Sequence, residues 1–437
     1  MKSATSGSKR LPSSTTFFTL RTVASFILLA WVLVIAYYMN SPTPNGIVNP
    51  WQYKCFDGAK RLVTDMASVI SLFTSSHYII PFRSLIENAL PKCQREVPGS
   101  NIRSSVTTFG GVKVRLYEPI EKQPGLGPAL VFIHGGAFVL GSADMFDMMT
   151  RRFAEELDSV VVSIDYRLAP EHPFPAAFED CITASRWFMD HAEDFNVDRS
   201  RIGIAGDSAG GTLTASVSQI LHDDGRYPDF AFQALIYPLT QFIDNHTPGS
   251  MLSKSLFGMD GSIVTWQEAG EFTCLYFLGR SEQRVVDALI DNTHTSVTFK
   301  RESPLAQYVN HTLLPLGMQD YGSYKAPNVD EQRGDDAVWE QLQELILDQR
   351  ASPLLRTDMK GLPPTFLATC EFDPIRDHGA FYALRLREAG VPVRWEHYIG
   401  GFHGVLGPTW PLVFEVGEKI FQDLIVFFKE HLKITEK

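Results

Sequence analysis

Gly206-Asp207-Ser208-Ala209-Gly210 is the segment of this 437-residue chain whose residue types and spacing point most directly to chemistry. It follows the apolar run RIGIA and precedes GTLTASVSQIL, a pattern that predicts a strand turning straight into a helix. At such an elbow the serine stands exposed, and flanking glycines let neighbouring backbone approach without a clash. Ser208 would then sit at a helix N-terminus, where amides and the helix dipole favour developing negative charge. The same five residues also fit a plain strand-to-helix turn, so the case depends on partners elsewhere.

A serine hydroxyl needs a base, and a tetrahedral intermediate needs N–H donors for its oxygen. Among twelve histidines, His403 stands apart in Gly400-Gly401-Phe402-His403-Gly404, between a predicted strand and the last predicted helix. A loop there can carry an imidazole over the elbow. Asp373, just after the apolar run at 364–369, is the candidate to orient it; Glu371 and Asp377 are its rivals, and Asp207 should point away from the ring. His134-Gly135-Gly136-Ala137 follows another apolar run, 129–133. The amides of Gly135 and Gly136, with that of Ala209, are expected to form an oxyanion hole, although a Gly-Gly pair after a strand is by itself an ordinary turn. The chain order Ser208, Asp373, His403 is that of α/β-hydrolase triads.

The elements that must position these residues can be read from hydrophobic pattern. Strand-type alternation starts at 104 and turns at Gly110-Gly111. Strands are then expected at 129–133, 159–164, 201–205, 232–237, 364–369 and 393–398. Helices are expected at 146–157, 176–194, 209–221, 378–389 and 411–431. This alternation predicts a mostly parallel sheet with helices on both faces. It breaks between 241 and 350, where helical patches such as 338–347 mix with acidic loop sequence. The expected organisation is a tail over 1–21, an apolar anchor over 22–39, linker and cap helices over 40–100, a first core segment over 101–241, a cap insertion over 242–350 and a second core segment over 351–437.

Residues 22–39 are eighteen positions without a formal charge, just enough to span a bilayer as a helix. Lys2, Lys9, Arg10 and Arg21 precede them with no acid before residue 40, so positive-inside logic places the N-terminus in the cytosol and the body across the membrane. A cleaved signal peptide is the rival, but no small-x-small site follows the run. The sequons at Asn245 and Asn310 agree with a lumenal body. Lys plus Arg total 39 against 50 Asp plus Glu, a net charge of −11 without a basic block, which argues against a nucleic-acid partner. The five cysteines have no metal-ligand spacing, and Cys55 with Cys93 is the pairing suggested for an oxidising lumen.

HGGAF at 134–138, YRLAPEHPFPAAFED at 166–180, GDSAGG at 206–211, EFDPIRDHG at 371–379 and GFHG at 401–404 together resemble the hormone-sensitive lipase group of α/β-hydrolases. With the N-terminal apolar run, the chain is similar to the arylacetamide deacetylase and neutral cholesterol ester hydrolase branch. The resemblance spans about residues 100–430. It implies an α/β-hydrolase fold with a helical cap from residues 51–100 and 242–350. It also implies a type II anchor in the endoplasmic reticulum membrane, no cofactor, and hydrolysis of lipophilic carboxyl esters and aryl amides. Ala137 replaces the third glycine common in the group. Val139 stands where mammalian members of the branch carry a cysteine, so a disulfide from there to Cys370 is not available. The alternative to an enzyme is a binding or receptor module on the same fold.

Overall fold

The computed structural model describes residues 14–74, 76–89, 96–121, 124–259, 263–319, 333–407 and 412–434. Three helices come first: α1 (Ser14–Met39), α2 (Pro50–Thr74) and α3 (Ile79–Ala89). The sheet is built from β1 (Ile102–Phe109), β2 (Val112–Pro119), β3 (Gly127–Ile133), β4 (Val160–Ile164), β5 (Val197–Asp207), β6 (Gln233–Ile236), β7 (Thr365–Phe372) and β8 (Val393–Phe402). Between strands lie α4 (Asp147–Leu157), α5 (Ala176–Asp190) and α6 (Ala209–Asp224). From β6 to β7 the chain runs through α7 (Pro248–Phe257), α8 (Trp266–Leu278), α9 (Gln283–Ile290), α10 (Val297–Glu302), α11 (Leu316–Gln319) and α12 (Asp336–Ile346). The chain closes with α13 (Arg376–Glu388) and α14 (Glu415–His431).

The strands pair in the order β1-β2-β4-β3-β5-β6-β7-β8. β1 and β2 form an antiparallel hairpin turned at Gly110 and Gly111, both at positive φ, and β2 pairs antiparallel with β4. From β4 onward all pairings are parallel. Strands buried on both faces read as unbroken apolar runs. All five residues of β4 and the last five of β3 are buried accordingly. α5, α6 and α13 pack on one face, and α4 and α14 on the other. Phe153 of α4 stacks on Phe421 of α14 at 5.0 Å between ring centroids, joining the two helices over Phe132.

The departures from expectation are local. β5 starts at Val197, before the predicted 201, because its first residues pair with Gly127 across a register shift. The helix expected over 176–194 stops at Asp190, where the His191 ring takes up the Trp187 carbonyl, and a 3-10 turn follows, ending at Asn196 with φ 62°. α2 starts at Pro50, suited to a first helical turn, and so absorbs part of the expected linker.

In α1 the described apolar side chains from Val23 to Tyr37 are 42% to 67% exposed. Among the described residues no helix is long and apolar enough to cross a membrane. Residues 1–13, most of the expected cytosolic tail, lie outside the described residues.

Phe153 is fully buried between the sheet and α14. Phe153→Ala is expected to cost about 3–5 kcal/mol of stability, read as a lowered denaturation midpoint.

Candidate active site

β5 ends at Asp207 and α6 begins at Ala209, so a single residue makes the turn. Ser208 adopts φ 54° and ψ −122°, a conformation costly for a side-chain-bearing residue. Its N–H donates to Ile236 O at 2.8 Å, which holds the turn against β6. A Cβ on Gly206 would collide with the Gly210 carbonyl, and one on Gly210 with the carbonyls of Ile133 and His134. The glycines are therefore required by contact, as the motif suggests.

The Ser208 hydroxyl lies 2.9 Å from His403 Nε2, and His403 Nδ1 lies 2.9 Å from Asp373 Oδ2. Asp373 is fully buried and its other oxygen accepts the Ile375 amide at 2.8 Å. That leaves one carboxylate edge for the histidine. The rivals are engaged elsewhere: Glu371 accepts from the Gly400 amide, and Asp377 holds Arg376 and the Gly249 amide. Tyr237 packs its ring edge-on to His403 at 5.0 Å.

The loop after β3 corrects one expectation. The Gly135 N–H donates to Asp207 Oδ1 at 2.8 Å and so is not free for a substrate oxygen. Asp207 points away from the imidazole and ties this loop to the elbow. The amides of Gly136, Ala137 and Ala209 have no acceptor among the described residues. Gly136 at φ 121° and Ala137 at φ 53° turn the loop.

The segment 166–180, a motif without an assigned role in the sequence, braces the same loop. The Tyr166 hydroxyl donates to His134 O at 2.9 Å, and its ring stacks on the His134 imidazole at 4.2 Å. The Ala169 amide donates to Phe138 O at 3.0 Å. Arg83 reaches the loop from α3: Nε donates to Val139 O at 2.6 Å, Nη2 to Ala169 O, and Nη1 to Glu171. Nothing in the sequence around Arg83 marks this role, because its partners, two backbone carbonyls and the Glu171 carboxylate, are all more than fifty residues away.

A family model described as alpha/beta hydrolase fold matches residues 130–298 and 293–407. Neutral cholesterol ester hydrolase 1 of Rattus norvegicus is 35% identical over 405 residues, covering 90% of this chain and 96% of that protein. The chain belongs to the alpha/beta hydrolase family. Arylacetamide deacetylase of Rattus norvegicus is 36% identical, covering 87% of this chain and 94% of that protein. Among solved structures, a Pyrobaculum calidifontis esterase is 26% identical with a TM-score of 0.58, covering 84% of this chain and 97% of that one. A bacterial heroin esterase is 28% identical with a TM-score of 0.56, covering 81% and 91%.

In this α/β-hydrolase Ser208 and His403 open onto a cavity of about 1090 Å³. Its walls are mainly apolar, with Val63 of α2, Phe82 and Ile86 of α3, Phe272 of α8, and Leu239 and Phe242 after β6. Lys60 and Glu268 form an ion pair in the wall, joining α2 to α8.

The structure bounds two further expectations. The Asn245 side chain lines this cavity and its Nδ2 donates to Leu289 O at 3.0 Å, while Thr247 is fully buried as the N-cap of α7. In the folded chain Asn245 is therefore half-buried in the cavity wall. Asn310 is exposed. Cys55 is exposed, but its suggested partner Cys93 lies outside the described residues; Cys370 is buried and free. Among the described residues no group of three or more His, Cys, Asp or Glu side chains could hold a metal ion.

Burial alone would lower the His403 pKa, but the charge and hydrogen bond of Asp373, helped by Asp207, raise it above 6.5. Burial pushes Asp207 itself up to about 6, against the pull of the Gly135 amide. A general base must be neutral, so kcat/KM is expected to rise with pH through a midpoint above 6.5. In Asp373→Asn the residual activity should titrate at lower pH, since the main raising influence is gone; an unmoved acid limb in pH–rate profiles would contradict this.

Proposed function

We propose that this chain is a serine carboxylesterase or lipase for lipophilic esters, extending to aryl amides, that works through an acyl-enzyme. The observation that carries this reading is the Ser208–His403–Asp373 relay, with both contacts at 2.9 Å, facing an apolar cavity. The chain is a carboxylic ester hydrolase, the activity named in its relatives: a cholesterol ester hydrolase and several esterases.

In the proposed reaction His403 Nε2 takes the Ser208 proton as Oγ attacks the carbonyl carbon. Asp373 holds the Nδ1–H and stabilises the imidazolium that forms. The oxyanion is received by the amides of Gly136, Ala137 and Ala209, reinforced by the N-terminus of α6. His403 returns the proton to the leaving alcohol or amine, and the same residue then activates water to release the acid. A binding module would have no use for this relay.

The apolar stretch 22–39 is proposed as a type II anchor in the endoplasmic reticulum membrane, with the hydrolase body lumenal. The exposed apolar surface of α1 and the basic residues before it support the anchor.

Ser208→Ala is expected to lower kcat on p-nitrophenyl esters by about 10⁴- to 10⁶-fold and abolish fluorophosphonate labelling, with an unchanged melting midpoint. Labelling that persists in the variant would sink the assignment. For the topology, Asn310→Gln should remove one endoglycosidase-sensitive mobility step in a secretory cell, whereas Asn245→Gln should remove none. A body on the cytosolic side would carry no glycan at either site.

A further inference from the structure

α2 carries two apolar stripes with different destinations. Tyr53, Phe56, Lys60, Val63 and Ala67 recur at helical spacing and face inward, toward the core or the cavity that holds Ser208. Leu62, Met66, Val69 and Phe73 recur at the same spacing on the far side and are 40%, 46%, 56% and 85% exposed. Leu72 beside them is 79% exposed. A soluble surface rarely shows so many large apolar residues together, and such a patch marks a contact.

What covers it can be argued from its neighbours. The end of α1 packs against the adjoining side of α2: the Tyr38 hydroxyl donates to Asp65 at 2.8 Å, and the Tyr38 carbonyl lies where a Cβ on Gly58 would collide with it. The exposed apolar surface of α1 therefore continues onto the outer stripe of α2. Where the two helices meet, the Arg61 guanidinium lies over the rings of Tyr37 and Tyr38 at 5.2 and 6.0 Å. Nearer the start of α2, Lys54 lies over exposed Trp51 at 5.6 Å. Tyr, Trp and basic side chains beside an apolar band are the pattern of the headgroup region of a bilayer.

We propose that the outer stripe of α2 is a second membrane contact, sunk into the headgroup and acyl boundary beside α1, and that lipophilic esters reach the cavity past this helix. The route of the ester rests on the hydrolase reading above, and the lipid contact on the reading of α1 as a membrane anchor. A helix with lipid on one side and the cavity wall on the other gives a membrane-dissolved substrate a path that need not cross water.

The test uses the full chain in phosphatidylcholine vesicles, in a Cys55→Ser, Cys93→Ser background. An environment-sensitive fluorophore is placed at Val69→Cys or Phe73→Cys, with Val106→Cys on exposed β1 as the control. Emission at 69 and 73 should shift to the blue and be quenched by doxyl-labelled lipid, while the label at 106 responds to aqueous iodide. Iodide quenching at all three positions would overturn the proposal. So would shielding from both quenchers with self-quenching that grows with copies per vesicle, which would mean that a second chain covers the stripe. In parallel, the L62S/M66S/V69S/F73S variant should lose about tenfold or more on a long-chain ester embedded in vesicles, while a soluble short-chain ester changes by less than about twofold. Equal losses on both would assign the stripe to folding. Failure of the wild type on either ester would count against the hydrolase reading and leave the fluorescence result standing.

Discussion

The one-residue turn at Ser208 is the constraint from which the site follows. To turn from β5 into α6 at a single position, the chain must bring Gly210 against the carbonyls at the end of β3. Any larger residue there would separate α6 from β3. Because β3 and β5 are parallel neighbours with Ile133 opposite Gly206, this contact also fixes where the loop after β3 begins. Asp207 then grips that loop through the Gly135 amide. One turn thus positions both the hydroxyl and the amides beside it, and the strain at Ser208 is held by the backbone on either side.

The imidazole and carboxylate come from the other half of the sheet. β7 and β8 run parallel until their register shifts between Cys370 and Phe372, and the chain leaves β7 for Asp373 just past that irregularity. His403 follows directly on β8. All three side chains therefore sit at the carboxyl ends of parallel strands, where an open α/β sheet leaves a crevice. Burial of Asp373 costs free energy that its amide and imidazole partners offset. The raised pKa of His403 is the electrostatic trace of that pairing.

Much of this could be read from the chain because the informative signals were short-range. Buried parallel strands announce themselves as apolar runs, and a glycine required by close approach appears as a motif. The elbow, His403 and Asp373 were legible for that reason. The Gly135 amide was misassigned because its partner, the carboxylate of Asp207, lies 72 residues away across two strands. The surroundings of Asn245 are equally non-local: the triplet is a local signal, but Thr247 caps α7 and the Asn245 side chain donates to the Leu289 carbonyl. Arg83 was invisible, since two of its partners are backbone carbonyls, which leave no sequence signature, and Glu171 lies 88 residues away. Within the cap, α12 was legible because Val338, Leu342 and Ile346 form a buried periodic stripe, whereas α10 and α11, at 6 and 4 residues, are too short to show one.

The cap consists of two chain segments far apart in sequence, and directional bonds tie the second to the core: Asp377 accepts the Gly249 amide of α7, Arg376 donates to Met318 O at 2.8 Å, and the Phe174 amide donates to Tyr276 O of α8 at 2.7 Å. Lys60 to Glu268 joins the two segments, while Arg83 joins the first to Val139 and Ala169. Between them, apolar side chains of both segments line the cavity of about 1090 Å³. Apolar packing tolerates sliding, whereas a guanidinium on two carbonyls does not. Arg83 therefore fixes α3 relative to the loop after β3, while the faces that α2 and α8 turn to the cavity carry apolar side chains such as Val63 and Phe272. On the proposed hydrolase reading, what must be exact for bond breaking is anchored in the sheet and the loop after β3. What must vary for recognition is built from side chains that can repack.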